Sequence, residues 1–200
     1  MESLGGVESM RLTRDAVIQA ASELVDETGL HRISLKIIAE KLHIRTPSLY
    51  NHIDSLDDLL REIAHQGMAT MNHNMAQAAI GISGDAALQA AAVVYLNYAI
   101  QHPGVYETIQ WATWNGSTET ERLLEDYLAF LARLIQSCHF QKEKTQEIQK
   151  ILTGVLHGYV TLQLRLALVH PDEVRAGLYD TLDTVLLGLH AKYDTSTEGG

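Results

Sequence analysis

Apolar residues in this chain recur at three- and four-residue intervals almost from end to end, and no stretch alternates convincingly with the two-residue period of a half-buried strand. That spacing restricts the fold to packed helices. The punctuation agrees: Pro47, Pro103 and Pro171 all fall where one periodic segment gives way to the next, and Gly29, Gly81, Gly84 and Asn115-Gly116 mark further breaks. With 200 residues, 46% of them hydrophobic, the chain can bury a real core, either as one compact domain or as a small domain followed by a larger one.

Residues 1–10 carry no such pattern and read as a disordered tail. The first helix opens at Thr13, whose hydroxyl can cap it while Leu12 staples onto Val17. Val17, Ala21, Leu24 and Val25 then share a face, and Gly29 stops the helix. A second, short helix follows Ser34 as cap and buries Leu35, Ile38, Ala39 and Leu42. A third begins with Thr46 as cap and Pro47 at the first helical position, where a missing N–H costs nothing.

Only a few residues around His43 and Ile44 separate the second helix from the third, the short connection of a helix-turn-helix. Ala39 is small where the two axes must cross, and Leu42, Ile44 and Leu49 fill the space between them. The exposed side of the third helix then offers Arg45, Thr46, Ser48 and Asn51 to base edges in a major groove. Lys36, Tyr50 and His52 lie toward the flanking phosphates.

The stretch LTRDAVIQAASELVDETGLHRISLKIIAEKLHIRTPSLYNHIDSLDDLLREIA, residues 12–64, resembles the N-terminal domain of the TetR family of transcriptional regulators. The resemblance is most specific in IAEKLHIRTPSLYNHI, with its Ala-x-x-Leu-x-Ile turn followed by Leu49-Tyr50-x-His52 and an apolar residue. It implies a homodimer on an inverted-repeat double-stranded DNA operator, with a small-molecule effector bound in the remaining helices. Two positions depart from the family. His43 stands where such turns usually carry a left-handed glycine, so positive φ and some strain are expected there. Asp54-Ser55-Leu56-Asp57-Asp58 replaces a segment in which relatives often place a phosphate-binding lysine.

The charge balance makes DNA binding a question, because the formal net charge is −10. Residues 1–65 hold 7 Lys/Arg against 11 Asp/Glu, net −4, and residues 66–200 hold 8 against 14, net −6. Within residues 31–53, however, Arg32, Lys36, Lys41 and Arg45 face only Glu40, a local net of +3. Contacts confined to one face suit that distribution. The acidic DSLDD run has a local use, since Ser55 can cap a fourth helix whose first turn carries Asp57 and Asp58 beside the positive end of the dipole.

Beyond residue 65 the spacing predicts helices over 65–80, 84–101, 104–114, 118–138, 143–169 and 172–192. The last carries a stripe of Val174, Leu178, Leu182, Val185 and Leu189, and the one before it Ile148, Leu152, Val155, Tyr159, Leu162 and Leu166. Such stripes serve an internal core alone, or a core plus the four-helix dimer interface that the TetR resemblance implies, for which Gly154 and Gly158 would permit close approach. Tyr95, Tyr98, His102, Tyr106, Trp111 and Trp114 gather in the middle, either as core or as the lining of a ligand pocket. His157, in the segment TGVLHGYVTLQL, joins that candidate set: a late His-Gly pair is similar to one TetR subgroup, although the subgroup's tryptophan one turn earlier is Thr153 here.

Catalytic signatures are missing. The chain has no Gly-x-Ser-x-Gly elbow, no phosphate-cradling glycine loop and no His-Glu-x-x-His, and its ten histidines form no His-x-x-x-His pair. Neither a cofactor nor a metal is implied. Cys138 alone cannot form an intrachain disulfide, and no signal segment or membrane-length apolar run occurs, so a cytoplasmic protein is expected. The composite expectation is an all-α fold with a tail over 1–10, a three-helix helix-turn-helix DNA-binding domain over 11–64, and a larger helical ligand-binding and dimerisation domain over 65–200. Its function would be that of a repressor released from DNA by a small molecule, dimeric through its last two helices. The alternative is a helical small-molecule-binding protein or enzyme whose DNA-binding domain is vestigial.

Overall fold

A computed structural model of the chain describes residues 12–166 and 173–195. The expected tail over 1–10, the helix start at Pro171 and the side chain of Leu166 lie outside the described residues. Among those residues there are nine α-helices and no strand: α1 (Arg14–Thr28), α2 (Leu35–Lys41), α3 (Thr46–Leu49), α4 (Leu56–Ala78), α5 (Gly84–Gln101), α6 (Pro103–Asn115), α7 (Thr118–Gln136), α8 (Thr145–Leu166) and α9 (Val174–Tyr193). A 3₁₀ turn, Leu30–Arg32, joins α1 to α2.

Local chemistry explains most of these boundaries. Thr13 accepts a hydrogen bond from the Ala16 N–H, Ser34 from Ile37 and Ser55 from Asp58, so three helices begin on the side-chain caps that the sequence offers. Gly29 ends α1 with φ +83°. The end of α2 is a Schellman motif, in which the His43 N–H donates to the Glu40 carbonyl and the Ile44 N–H to that of Ala39. His43 supplies the left-handed residue of that motif at φ +54°, as its place in the turn requires.

The boundary after residue 64 differs from expectation. The fourth helix and the segment expected over 65–80 are a single 23-residue helix, α4, so the expected division after residue 64 falls inside a continuous rod. The reason is an unbroken buried stripe: Leu59, Leu60, Ile63, Ala64, Gly67, Met68, Met71 and Met75 all face inward, and no proline interrupts them.

Along this rod lie two apolar cores. The first gathers α1, α2, α3 and the N-terminal half of α4 around Val17, Ile18, Val25, Ile38, Leu49 and Leu59. It also takes in Val105, Ile109 and Ala112 from α6, which therefore packs into the head. The second core holds the C-terminal half of α4 with α5, α7, α8 and α9. Two glycines let α6 come this close: a β-carbon on Gly104 would fall on the Val25 carbonyl oxygen of α1, and one on Gly67 of α4 would strike the Val105 side chain.

Two substitutions test this account in opposite directions. His43→Gly should stabilise the protein by roughly 0.5–1 kcal/mol, seen as a rise of about 1–4 °C in melting temperature, because relief of left-handed strain outweighs the extra freedom of the unfolded chain. Gly104→Ala should cost on the order of 3 kcal/mol or more, lowering the midpoint by about 6 °C or more, since the obstacle is backbone and cannot rotate away.

Candidate functional site

The helix expected to read DNA is short, and its start differs by one residue from the sequence-based expectation. The Ser48 N–H donates to the Arg45 carbonyl at 2.8 Å, which makes Arg45 the N-cap and places Thr46 and Pro47 at the first two helical positions. Arg45 has extended backbone and makes no side-chain capping bond. Leu49 is fully buried and anchors the helix, while the His52 and Ile53 N–H groups both donate to its carbonyl and carry the coil one turn further. Arg45, Pro47, Tyr50 and Asn51 are exposed on this segment, and Thr46, Ser48 and His52 are half-buried.

The surrounding charges are less available than their count implies. Lys41 is drawn onto α1, where its ammonium lies 3.1 Å from both Glu23 and Glu27. Lys36 is largely exposed and only 3.9 Å from Glu40, a loose pair of small energetic weight. Arg32 and Arg45 are exposed. Leu56 packs half-buried against the head core, so this position is occupied by an apolar contact. The Asp57 and Asp58 carboxylates sit in the first turn of α4, and Arg14 of α1 pairs with Asp58 at 3.6 Å and Glu62 at 3.2 Å. Acidity here is spent on helix ends and inter-helix ties.

The expected aromatic set separates into groups. Tyr95 and Tyr106 are buried with rings edge to face, and their hydroxyls stand 3.0 Å apart. The Tyr106 hydroxyl in turn lies 2.6 Å from His157 Nδ1. Burial pushes the Tyr106 hydroxyl up to about 12 and lowers His157, so both are neutral near pH 7. Tyr98 and His102 instead stack on each other, with ring centroids 5.0 Å apart, and line neither of the cavities described below. Trp111 packs on the head core with the Arg61 guanidinium over its ring, and Trp114, 89% exposed, points into solvent. The spacing of three puts Trp111 and Trp114 on one side of α6, but only Trp111 reaches the core.

Two cavities meet at His157 and Gln110. The inner one, about 150 Å³, lies among α4 to α8 and is lined by Met68, Met71, Tyr95 and Tyr127. The other, about 420 Å³, opens between α1, α6 and α8, with walls that include Val25, Pro103, Leu164, Tyr106 and Thr161. Beside it Asp26 joins head to body: its Oδ1 accepts the Gly104 and Val105 N–H groups at 2.8 and 2.9 Å, and its Oδ2 lies 3.0 Å from His102 Nδ1. Glu107 makes a second tie, accepting the Leu30 N–H at 3.3 Å and lying 3.6 Å from Arg165 and 3.7 Å from His31.

Asp26, Gly104, Glu107, Gln110, Thr161 and Arg165 are absent from the sequence-derived candidates. One signal was present. Asp26 and Glu27 sit in the last turn of α1, where a carboxylate opposes the helix dipole and so needs a partner from elsewhere. Glu27 finds Lys41, and Asp26 finds the unpaired amides at the start of α6.

Comparison with known proteins agrees with this arrangement. Residues 88–185 match the family model described as "Tetracyclin repressor-like, C-terminal domain". The chain is 29% identical over 179 residues to the uncharacterized HTH-type transcriptional regulator YobS of Bacillus subtilis (strain 168), covering 89% of this chain and 93% of that one. A tetracycline repressor protein of class D from Escherichia coli is 38% identical over 73 residues, 36% of this chain and 33% of the repressor. Among solved structures, a TetR variant from Acinetobacter baumannii AYE in complex with minocycline superposes with a TM-score of 0.67 at 20% identity, covering 90% of this chain and 98% of that one, which is a likeness of fold. Together these matches support a TetR-family transcriptional regulator.

Proposed function

We propose that this regulator is a homodimeric repressor that binds an inverted-repeat operator and is released from it by a small molecule. Residues 11–64 form its DNA-binding part and residues 65–200 its effector-binding and dimerising part. It acts by binding rather than by catalysis. The observation that carries this reading is the placement of the 420 Å³ cavity, whose wall is shared between the last turn of α1 in the DNA-binding head and helices α6 and α8 of the body. A molecule seated there touches both units at once. Its binding energy therefore depends on how the head sits, which is the condition for allosteric coupling. The names of the relatives support the two ends of the reading, one a tetracycline repressor and one a TetR variant holding minocycline.

In this reading Asn51, Ser48, Thr46 and Arg45 meet base edges, with Pro47 setting the helix start. Tyr50, His52 and Lys36 meet phosphates. Dimerisation supplies what the weakly basic face lacks, because two heads on one operator double the contacts while the rest of the surface stays acidic. The pairing surface is supported by apolar groups left outside the monomer's own core. Gly154, Gly158 and Leu162 recur every four residues on α8, with nothing packed over either glycine, and Leu187 on α9 is 72% exposed beside the open Gly188.

Selection of genomic fragments by the purified protein should recover an inverted repeat; recovery of random fragments alone would end the operator reading. Against a panel of point-substituted operators, Asn51→Ala should relax preference at one position per half-site by roughly 1–3 kcal/mol. Leu187→Glu should yield monomers in sedimentation experiments and weaken operator binding by roughly 10²–10⁴-fold, the factor that linking two heads supplies. A variant that stays dimeric would place the pairing surface elsewhere.

A further inference from the structure

We propose that the cavity between α1, α6 and α8 takes an uncharged, mainly apolar molecule bearing one hydrogen-bond acceptor, and that the His157 Nε2–H is the donor that meets it. The regulatory consequence of such binding rests on the function proposed above, whereas the chemistry of the site stands on its own contacts.

Charge is disfavoured by the way the acidic groups are used. Both oxygens of Asp26 are engaged, Oδ1 by two backbone amides and Oδ2 by His102. Glu107 is held by the Leu30 amide, Arg165 and His31. A cationic ligand would have to compete with these contacts for each carboxylate, and an anionic one would sit among two of them, with the Arg165 guanidinium already facing Glu107. Burying an unpaired charge under either condition is costly. Val25, Pro103, Leu164 and the ring of Tyr106 leave apolar surface for the body of the ligand.

The donor is fixed by a relay of hydrogen bonds. Tyr95 Oη is buried, and its one hydrogen-bond partner among the described residues is Tyr106 Oη, so its own proton is satisfied there when Tyr95 donates to it. Tyr106 then donates its single proton in a hydrogen bond to His157 Nδ1, 2.6 Å away. His157, neutral in these surroundings, therefore carries its own proton on Nε2. That nitrogen lies 3.5 Å from Thr161 Oγ1, a residue of this cavity and not of the inner one. At that distance the contact with Thr161 is marginal, and an acceptor carried by a ligand would complete the donor's bonding. The relay thus presents one oriented N–H near the apolar surface of this cavity, alongside the Gln110 side chain.

Three naphthalene probes separate these elements in the full-length protein. Prodan is uncharged and carries one ketone; 2-dimethylaminonaphthalene lacks the ketone; 6-dimethylamino-2-naphthoate replaces it with a carboxylate. Fluorescence titration should show saturable binding of Prodan, one per chain, about fivefold to tenfold tighter than the ketone-free ring, with the carboxylate weakest. Thr161→Phe, which fills this cavity, should weaken Prodan at least tenfold, while Leu124→Trp, which narrows the inner cavity, should leave it unchanged. His157→Leu should erase the preference for the ketone; should that variant melt early, Thr161→Phe still decides the location. Equal or tighter binding of the carboxylate, no saturable binding of Prodan, or loss of binding in Leu124→Trp in place of Thr161→Phe would each overturn the proposal. Operator affinity measured with and without saturating Prodan is a separate readout: a fall is expected, and binding that leaves DNA affinity untouched sinks the release mechanism while the site's chemistry stands.

Discussion

The joint between α1 and α6 is the contact on which the rest of this molecule depends. At that point the Asp26 carboxylate closes the amino end of α6, and the Val25 carbonyl rests against the α-carbon of Gly104. A charge-assisted bond to two amides is strong, and here it is also short-ranged and directional. Because α6 presses on the opposite side against Gly67 of α4, it is held between two helices of the head and cannot shift without moving one of them. The cavity owes its existence to the same joint, since the last turn of α1 and the first turn of α6 form two of its walls.

The acidity of the chain becomes intelligible once its carboxylates are located. Asp57 and Asp58 lie in the first turn of α4, Asp26 closes α6, and Glu23 and Glu27 hold Lys41. Few of these bonds contribute much individually, exposed pairs being worth about 0–1 kcal/mol. Their shared effect is geometric. They tie α1 to α2, α4 and α6, so the head is held by its acidic groups while Arg32, Lys36 and Arg45 stay at the surface.

What could be read from the sequence was what depends on neighbours in the chain. Thr13, Ser34 and Ser55 cap where their side chains predict, Gly29 stops α1, and His43 adopts the left-handed conformation that the turn demands, because each of these is decided within about four residues. The start of α3 slipped by one residue because a threonine before a proline looks like a cap, whereas the first accepted bond fell on Arg45. Cavity residues were harder. Tyr106 and His157, 51 positions apart, were legible as types but not as partners, and Asp26 and Thr161 gave little sign of the space between them. Trp111 packs on the head core and Trp114 is exposed, a difference that composition and spacing alone do not reveal.

The two crowded glycines and the open cavity wall divide the molecule into parts with different freedom to drift under mutation. Positions 67 and 104 accept no side chain without displacing a neighbour, so the joint resists change. Thr161 and Leu164 face empty volume on α8, and exchanging them alters the shape and polarity offered to a guest. Under the proposed function, a lineage built on this scaffold would retune which molecule it senses by a few substitutions on one helix, while the joint between α1 and α6 is inherited intact.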